Sequence, residues 1–221
     1  MRSTDDRPPE DLTARARIRD AALAEFAERG FKGTTIKAVA DAAGVSIGLV
    51  QHHFGSKEGL RAACDAHVQD TMLGAAGQVQ DSSDVTPELI RGMFEASELS
   101  VRYLARALVE GSPVAEAIFD EGAGAAERFL TDNWPDDFPS DEATTRERAA
   151  VMAAMHLSTI VLHQHLTRRF GIDALHRANL ARLGMAMIDV YAHLGQWITS
   201  GQGGQVRQAI ADHHAKEHPD D

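Results

Sequence analysis

The sequence of 221 residues contains one cysteine, few aromatic side chains and no long uninterrupted apolar run. One cysteine excludes a disulfide scaffold and any zinc or redox site built on a CxxC pair, and it fits a reducing compartment. The longest uninterrupted apolar run, residues 149–155, falls far short of the roughly 20 residues that a membrane span needs. The first eleven residues are rich in Asp, Glu and Pro, unlike a secretory signal. We therefore expect a cytoplasmic protein without membrane association.

Charge is distributed unevenly along this acidic chain, whose formal net charge is −11. Residues 1–61 contain 10 Lys or Arg and 9 Asp or Glu, whereas residues 62–221 contain 12 and 24. A polyanion would repel the acidic part, but the first part could approach one. Acidic charge also keeps cytosolic proteins soluble. Charge alone therefore does not decide whether the first part of the chain binds a polyanion or whether the acidity serves only solubility.

Apolar residues recur at spacings of three and four, which predicts helices throughout. Four short helices are expected first, over about 13–29 with an end at Gly30, from Thr34 or Thr35 to about 43, over about 46–53, and from Ser56 onward. Later helices are predicted over 87–110, 114–120, 123–131, 141–170 and 173–199, with loops at 77–84 and 133–140. No stretch alternates with period two between hairpin turns, so the predicted fold class is all-α.

The predicted organisation is a flexible arm at 1–12, a three-helix helix-turn-helix domain at 13–62 and a larger helical domain at 63–201 for ligand binding and dimerisation. The helix over 56–73 joins the two domains. Residues 202–221 contain Gly, Gln and His with little periodicity, and we expect a disordered tail there.

The segment around residue 44 predicts the helix-turn-helix turn. Gly44 can adopt the positive φ of a sharp turn, and Ser46 can cap the third helix. Burial of Val50 would leave an outward face that includes two bulky aliphatic side chains, Ile47 and Leu49. Such a face makes sense where something covers it, and a DNA major groove offers thymine methyl groups and adenine edges.

The sequence FKGTTI at 31–36, VADAAGVS at 39–46 and HFGSKEGL at 53–60 resembles the DNA-binding domain of the TetR family of bacterial transcriptional regulators. The resemblance covers about residues 13–62. It implies that phosphates are contacted by Thr34, Thr35, Lys37 and Lys57. It also implies that the DNA groove is faced by Ser46, Ile47, Gly48, Leu49, Gln51 and His52, and that His53 supports the contact with the DNA backbone. Gln51 stands where many members carry Tyr. The alternative is a helix-turn-helix that serves only packing or protein contact.

The predicted helix over 173–199 is apolar on two sides, which favours one face on its own core and another on a second chain. The candidate dimer interface consists of Leu180, Gly184, Met187, Ile188, Tyr191 and Gly195. The alternative is that both faces lie in an intramolecular core. A homodimer, which the resemblance also implies, would favour a palindromic DNA operator.

Flexible apolar and polar side chains of the second domain predict a small-molecule pocket. Its candidate lining consists of Met93, Phe94, Ser97, Val101, Tyr103, Phe119, Phe129, Met152, Met155, His156, Thr159 and His163. The alternative is an ordinary core with satisfied histidines. We expect no cofactor and no metal site, since a site from His156, His163 and a carboxylate is weakly indicated.

The leading functional hypothesis is a homodimeric repressor that a small-molecule effector releases from double-stranded DNA. The alternative is a helix-turn-helix regulator controlled by a protein partner, with no small ligand. An enzyme is disfavoured because the sequence has no HExxH, P-loop or GxGxxG motif. The GxSxG match at residues 44–48 lies in the predicted helix-turn-helix turn and follows no predicted strand.

Overall fold

The computed structural model describes residues 9–77 and 98–217, and within these ranges all regular secondary structure is helical. The α-helices are α1 (Pro9–Gly33), α2 (Ile36–Ala43), α3 (Ile47–Phe54), α4 (Lys57–Gly77), α5 (Glu98–Glu110), α6 (Pro113–Asn133), α7 (Ala143–Val161), α8 (His163–Phe170), α9 (Leu180–Ile198) and α10 (Gly201–Glu217). The predicted all-α class is confirmed.

Several predicted boundaries need correction. Helix α6 is continuous where two shorter helices were expected, because Gly122 and Gly124 do not interrupt it. The long helix predicted over 141–170 breaks at Leu162, whose φ of −90° and ψ of 15° leave the helical region. The helix predicted from residue 173 begins only at Leu180, after a 3₁₀ turn over Arg177–Asn179. Residues 78–97, with most of the predicted loop at 77–84 and the start of the predicted 87–110 helix, lie outside the described residues.

The expected disordered tail is wrong for residues 202–217, which belong to helix α10. Ser200 starts this helix, since its hydroxyl accepts a hydrogen bond from the Gly203 N–H at 3.3 Å and its carbonyl accepts one from the Gly204 N–H at 2.9 Å. Val206 and Ile210 are one helical turn apart on it. At the other end of the chain, residues 1–8 of the predicted arm lie outside the described residues and residues 9–12 open α1.

One apolar core connects the first six helices. It contains Ile18, Ala22, Leu23 and Phe26 of α1, Val39 and Ala40 of α2, Val50 of α3, Leu60, Cys64 and Val68 of α4, Tyr103, Leu104 and Ala107 of α5, and Val114, Ala115 and Ile118 of α6. Burial raises the pKa of the Cys64 thiol to about 12. Cys64 is therefore a packing residue.

The chain divides into two compact units, one ending at Arg177 and one beginning at Ala178. The first unit holds α1–α8. In the second unit α9 is followed by α10, and Gly203 approaches Ile198 so closely that no side chain would fit there. Among the described helices, none combines the length and the apolar character needed to cross a membrane.

Candidate nucleic-acid interface

Local hydrogen bonds build the turn between α2 and α3. Gly44 has φ 67° and ψ 40°, the left-handed conformation that glycine adopts without strain. The Val45 N–H donates to the Ala40 carbonyl at 3.0 Å, and the Ser46 hydroxyl accepts from the Leu49 N–H at 3.2 Å. The predicted turn and N-cap are both present, and they fix the direction in which α3 leaves α2.

Helix α3 has one buried face and one open face. Val50 is fully buried, whereas Ile47 is 42% exposed. Gly48, Gln51 and His52 are also exposed. Leu49 corrects the prediction, because it is half-buried and packs against the core instead of facing outward.

The two adjacent threonines before α2 play different parts. Thr35 caps α2, and its exposed hydroxyl accepts from the Ala38 N–H at 3.1 Å. Thr34 is 1% exposed, and its hydroxyl oxygen lies 2.9 Å from the carbonyl oxygens of both Glu25 and Gly30, which share its single O–H donor. Its N–H also donates to the Gly30 carbonyl. Both Thr34 donors hold the turn after α1 in this structure, so a phosphate contact by Thr34, which stays a prediction, would have to compete with these bonds.

The predicted basic contacts lie on α2 and at the start of α4. Lys37 pairs with Asp41 at 3.1 Å, and both side chains are largely exposed. Lys57 begins α4, and its ammonium nitrogen lies 4.5 Å from the centre of the Phe31 ring. His53 is half-buried between the rings of His52 and Phe54.

Two further cations were missed at the level of sequence. Arg61 lies 4.6 Å from the centre of the Phe31 ring, and Arg15 lies 5.1 Å from that of Phe54. Arg61 follows Lys57 by one helical turn, and this spacing could have indicated a shared face of α4. No local pattern connects Arg15 with Phe54, because 39 positions separate them.

The candidate pocket residues are dispersed in the described structure. Met93, Phe94 and Ser97 lie outside the described residues. Val101 packs with Met72, Ile160 and Leu175, whereas Met152 packs on a separate cluster formed by Ala126, Leu130 and Ala149. Phe119 is half-buried, and the half-buried Phe129 makes a ring contact with Trp134 at 5.6 Å.

Two polar members of the candidate pocket contact backbone carbonyls three residues earlier in the chain. The Thr159 hydroxyl donates to the His156 carbonyl at 2.8 Å, and His163 Nδ1 lies 2.8 Å from the Ile160 carbonyl. Met155 and His156 are exposed. Tyr103 corrects the prediction, because it belongs to the main core and its hydroxyl donates to Asp65.

The candidate dimer residues all lie on α9 of the second unit. Leu180, Gly184, Met187 and Tyr191 are half-buried and Gly195 is exposed. Ile188 is 60% exposed, and Met185, Val190, Leu194 and Trp197 add further exposed apolar surface to the same helix.

The sequence is similar to one protein family and to several known regulators. The sequence model of the family described as bacterial regulatory proteins, tetR family, matches residues 18–64. The chain is similar to the HTH-type transcriptional regulatory protein RaaS of Mycobacterium tuberculosis, with 41% identity over 121 residues, 54% of this chain and 57% of that protein. It is also similar to the HTH-type transcriptional repressor KstR2 of Mycolicibacterium smegmatis, with 34% identity over 92 residues, 42% of this chain and 45% of that protein.

The matched part of the chain spans about half the length of these relatives. The crystal structure of a gamma-butyrolactone receptor, described as an ArpA-like protein, aligns with a TM-score of 0.55 and 25% identity over 69% of this chain and 81% of that one. The turn at Gly44, the cap at Ser46 and the exposed face of α3 define a helix-turn-helix protein. Over residues 18–64 the chain is similar to bacterial regulatory proteins of the tetR family.

Proposed function

We propose that this chain is a sequence-specific DNA-binding transcriptional regulator that acts as a homodimeric repressor. In this proposal residues 13–62 read the operator, and residues 63–201 bind a small-molecule effector and pair two copies. The exposed face of α3 carries the proposal, because Ile47, Gln51 and His52 are open to a partner while Val50 anchors the opposite face in the core.

The chemistry of α3 suits the major groove. Ile47 offers apolar contact for a thymine methyl group, and the Gln51 amide can pair with N6 and N7 of adenine. The sequence of the helix, IGLVQHHF, contains no acidic residue that would repel phosphate. Thr35, Lys37 and Lys57 on the flanking helices supply phosphate contacts, which set the register of α3 on the duplex.

Two copies are needed to read two half-sites. Twofold symmetry would place two α3 helices in successive major grooves, about 34–36 Å apart, on a palindromic operator. The exposed apolar side chains of α9 support pairing of the chain, since exposed apolar surface often marks an interface.

Release from DNA would follow from effector binding. A small molecule shifts the protein only by its different affinity for the two states, so it must prefer a state in which the paired reading helices no longer match the operator. Met152, Met155 and Thr159 of α7 support an adaptable site, because flexible thioethers and a few polar groups accommodate varied ligands.

Selection of genomic fragments by the full chain tests this proposal, followed by gel shifts at several salt concentrations. Gln51→Ala should change preference at particular base pairs by about 1–3 kcal/mol. Lys57→Ala should weaken binding to all DNA sequences similarly. It should also reduce the slope of the logarithm of affinity against the logarithm of salt concentration by about one. Lys216→Ala, which removes an exposed lysine of α10, serves as the charge-matched control.

Failure to discriminate among genomic fragments at moderate salt would contradict DNA reading. If an operator is bound, a small molecule that co-purifies with the protein and abolishes binding supports effector control. Operator binding that responds only to an added protein would overturn that part of the proposal.

A further inference from the structure

A carboxylate at the end of α5 lies on the kink of α1. Gly30 interrupts α1 with φ 73° and ψ 171°, and the next N–H, that of Phe31, donates to Glu110 Oε2 at 3.2 Å. The other oxygen, Glu110 Oε1, accepts from Arg106 Nε at 2.9 Å. A Cβ on Gly30 would collide with this ion pair, lying 2.6 Å from Arg106 Nη2. Both carboxylate oxygens are therefore engaged at the kink.

The side chain of Phe31 leads from this kink to α4. Its ring lies 4.5 Å from Lys57 Nζ and 4.6 Å from Arg61 Cζ, distances at which the electron-rich ring face attracts a cation. Phe26 of the core flanks the ring at 5.7 Å between centres. The position of the Phe31 ring thus influences where the Lys57 ammonium group rests.

We propose that Glu110 is a positioning residue for DNA binding, which fixes the Gly30–Phe31 kink and thereby holds Lys57 in place for a phosphate. The inference rests on the proposed function. Glycine permits many backbone conformations at residue 30, so the hydrogen bond to the Phe31 N–H selects one of them. The selected conformation fixes the position of the Phe31 ring, and the ring in turn fixes the position of the Lys57 ammonium group.

The local environment keeps this carboxylate ionised. Burial raises the pKa of Glu110, but the hydrogen bonds from Arg106 and from the Phe31 N–H outweigh it, and the pKa lies below its usual value. The small cavity beside these groups, about 10 Å³ in volume and lined in part by Phe31, Arg61 and Glu110, is far too small for an effector. The contact is therefore a structural connection between α1 and α5 and not a ligand site.

The direction in which Glu110→Ala changes DNA affinity distinguishes a positioning role from a simple effect of charge. Loss of a carboxylate makes the protein less acidic, and on charge grounds alone Glu110→Ala should strengthen attraction to DNA. The proposal predicts the opposite, a weakening of about fivefold, because Lys57 loses its fixed position. Glu116→Ala, on an exposed glutamate of α6, controls for the lost charge and should bind as tightly as the parent or slightly more tightly.

The test measures fluorescence anisotropy of a labelled duplex that carries the genomic fragment bound best by the parent chain. Glu110→Gln should restore most of the affinity, because its amide oxygen still accepts from the Phe31 N–H. Glu110→Ala should flatten the salt slope, and it should have no further effect when Lys57 is already alanine. A residue that acts only on stability would lower the melting temperature without this dependence on Lys57.

Phe31→Leu keeps the backbone donor but removes the ring, and it should weaken binding like Glu110→Ala. This variant also tests the proposal if Glu110→Ala does not fold. Parent-like affinity in Glu110→Ala, or equal effects with and without Lys57, would overturn the inference while leaving the proposed function intact. If the parent chain itself selects no fragment, the proposed function fails and the inference falls with it.

Discussion

Asp65 is a carboxylate held between two helices. It accepts a hydrogen bond from the Tyr103 hydroxyl of α5, and Arg61 lies 3.9 Å away on α4. Burial raises the pKa of Asp65 more than Tyr103 and Arg61 lower it. Since the folded state holds the proton more tightly than the unfolded chain, stability present at low pH is lost as pH rises through the raised pKa.

Asp65→Asn should remove this pH dependence while keeping an acceptor for Tyr103. We expect the difference in unfolding free energy, variant minus parent, to increase as pH rises above about 3.9, the pKa of an ordinary aspartate. Urea denaturation at a series of pH values measures this difference.

Asp70→Asn controls for the loss of one negative charge, because Asp70 is an exposed residue of the same helix. A difference for Asp65→Asn that stays constant or decreases with pH would show that burial does not dominate at this position.

Thr34 and Thr35 show where prediction from sequence ends at this scale. Both are threonines at the start of a helix, and the resemblance to the TetR family assigned both to phosphate. Only the fold distinguishes them, because the Thr34 hydroxyl reaches the Glu25 carbonyl, nine residues earlier, at 2.9 Å. The Thr35 hydroxyl accepts a hydrogen bond from the N–H of Ala38, three residues later, and this spacing is the one expected for a helix N-cap.

Among the elements, α1 depends most on a single glycine. The φ and ψ of Gly30 fall in a region that is essentially restricted to glycine, where other residues cost about 1–3 kcal/mol. Gly30→Ala would also displace the flexible ends of Arg106 and Glu110. We expect the free energy of unfolding to fall by about 2–3 kcal/mol, as measured by chemical denaturation.

Gly44→Ala is the matched comparison for this prediction. Gly44 also has a positive φ, but nothing lies within 4 Å of a Cβ built there, and the left-handed helical conformation costs roughly 1–2 kcal/mol for other residues. If Gly30→Ala proves no more costly than Gly44→Ala, the kink is not the more strained of the two positions.

Helix starts with a local signal were predictable, and helix breaks without one were not. Ser46 bonds to a backbone group three residues away, so the sequence alone predicts its role. The break at Leu162 involves neither Gly nor Pro, so no residue type there marks it. Ser200 does cap α10 by a local bond to a residue three positions ahead, but three glycines in the first turn of α10 disfavour a helix by propensity.

For the molecule as a whole, the proposed dimer interface on α9 predicts how copies associate. Ile188→Glu would place two unpaired carboxylates in a twofold interface, so the dimer dissociation constant should rise by about a hundredfold or more. Analytical ultracentrifugation over a range of concentrations measures this constant.

Val109→Glu changes an equally exposed aliphatic residue of α5, 64% exposed against 60% for Ile188, and should leave association unchanged. A parent chain that sediments as a monomer, or an Ile188→Glu variant that remains as tightly paired as the parent, would contradict the proposed interface.

The contact between Glu110 and Phe31 illustrates why long-range connections escaped prediction. The two residues are 79 positions apart, and nothing in the sequence near Glu110 indicates a partner in the first domain. The core behaves similarly, since residues of α5 and α6 pack into one cluster with those of α1–α4. Periodicity identifies which residues are apolar, but not which helices share them.

The burial of the single sulfhydryl makes the protein convenient for site-directed labelling. Cys64 is 0% exposed and is the one cysteine in the chain, so a maleimide or nitroxide reagent finds no natural target while the fold is intact. A cysteine introduced at exposed Gln69 or Asp70 of α4 would then be the sole reactive position. Electron paramagnetic resonance could measure the spacing between two such probes in a paired molecule without further changes to the sequence.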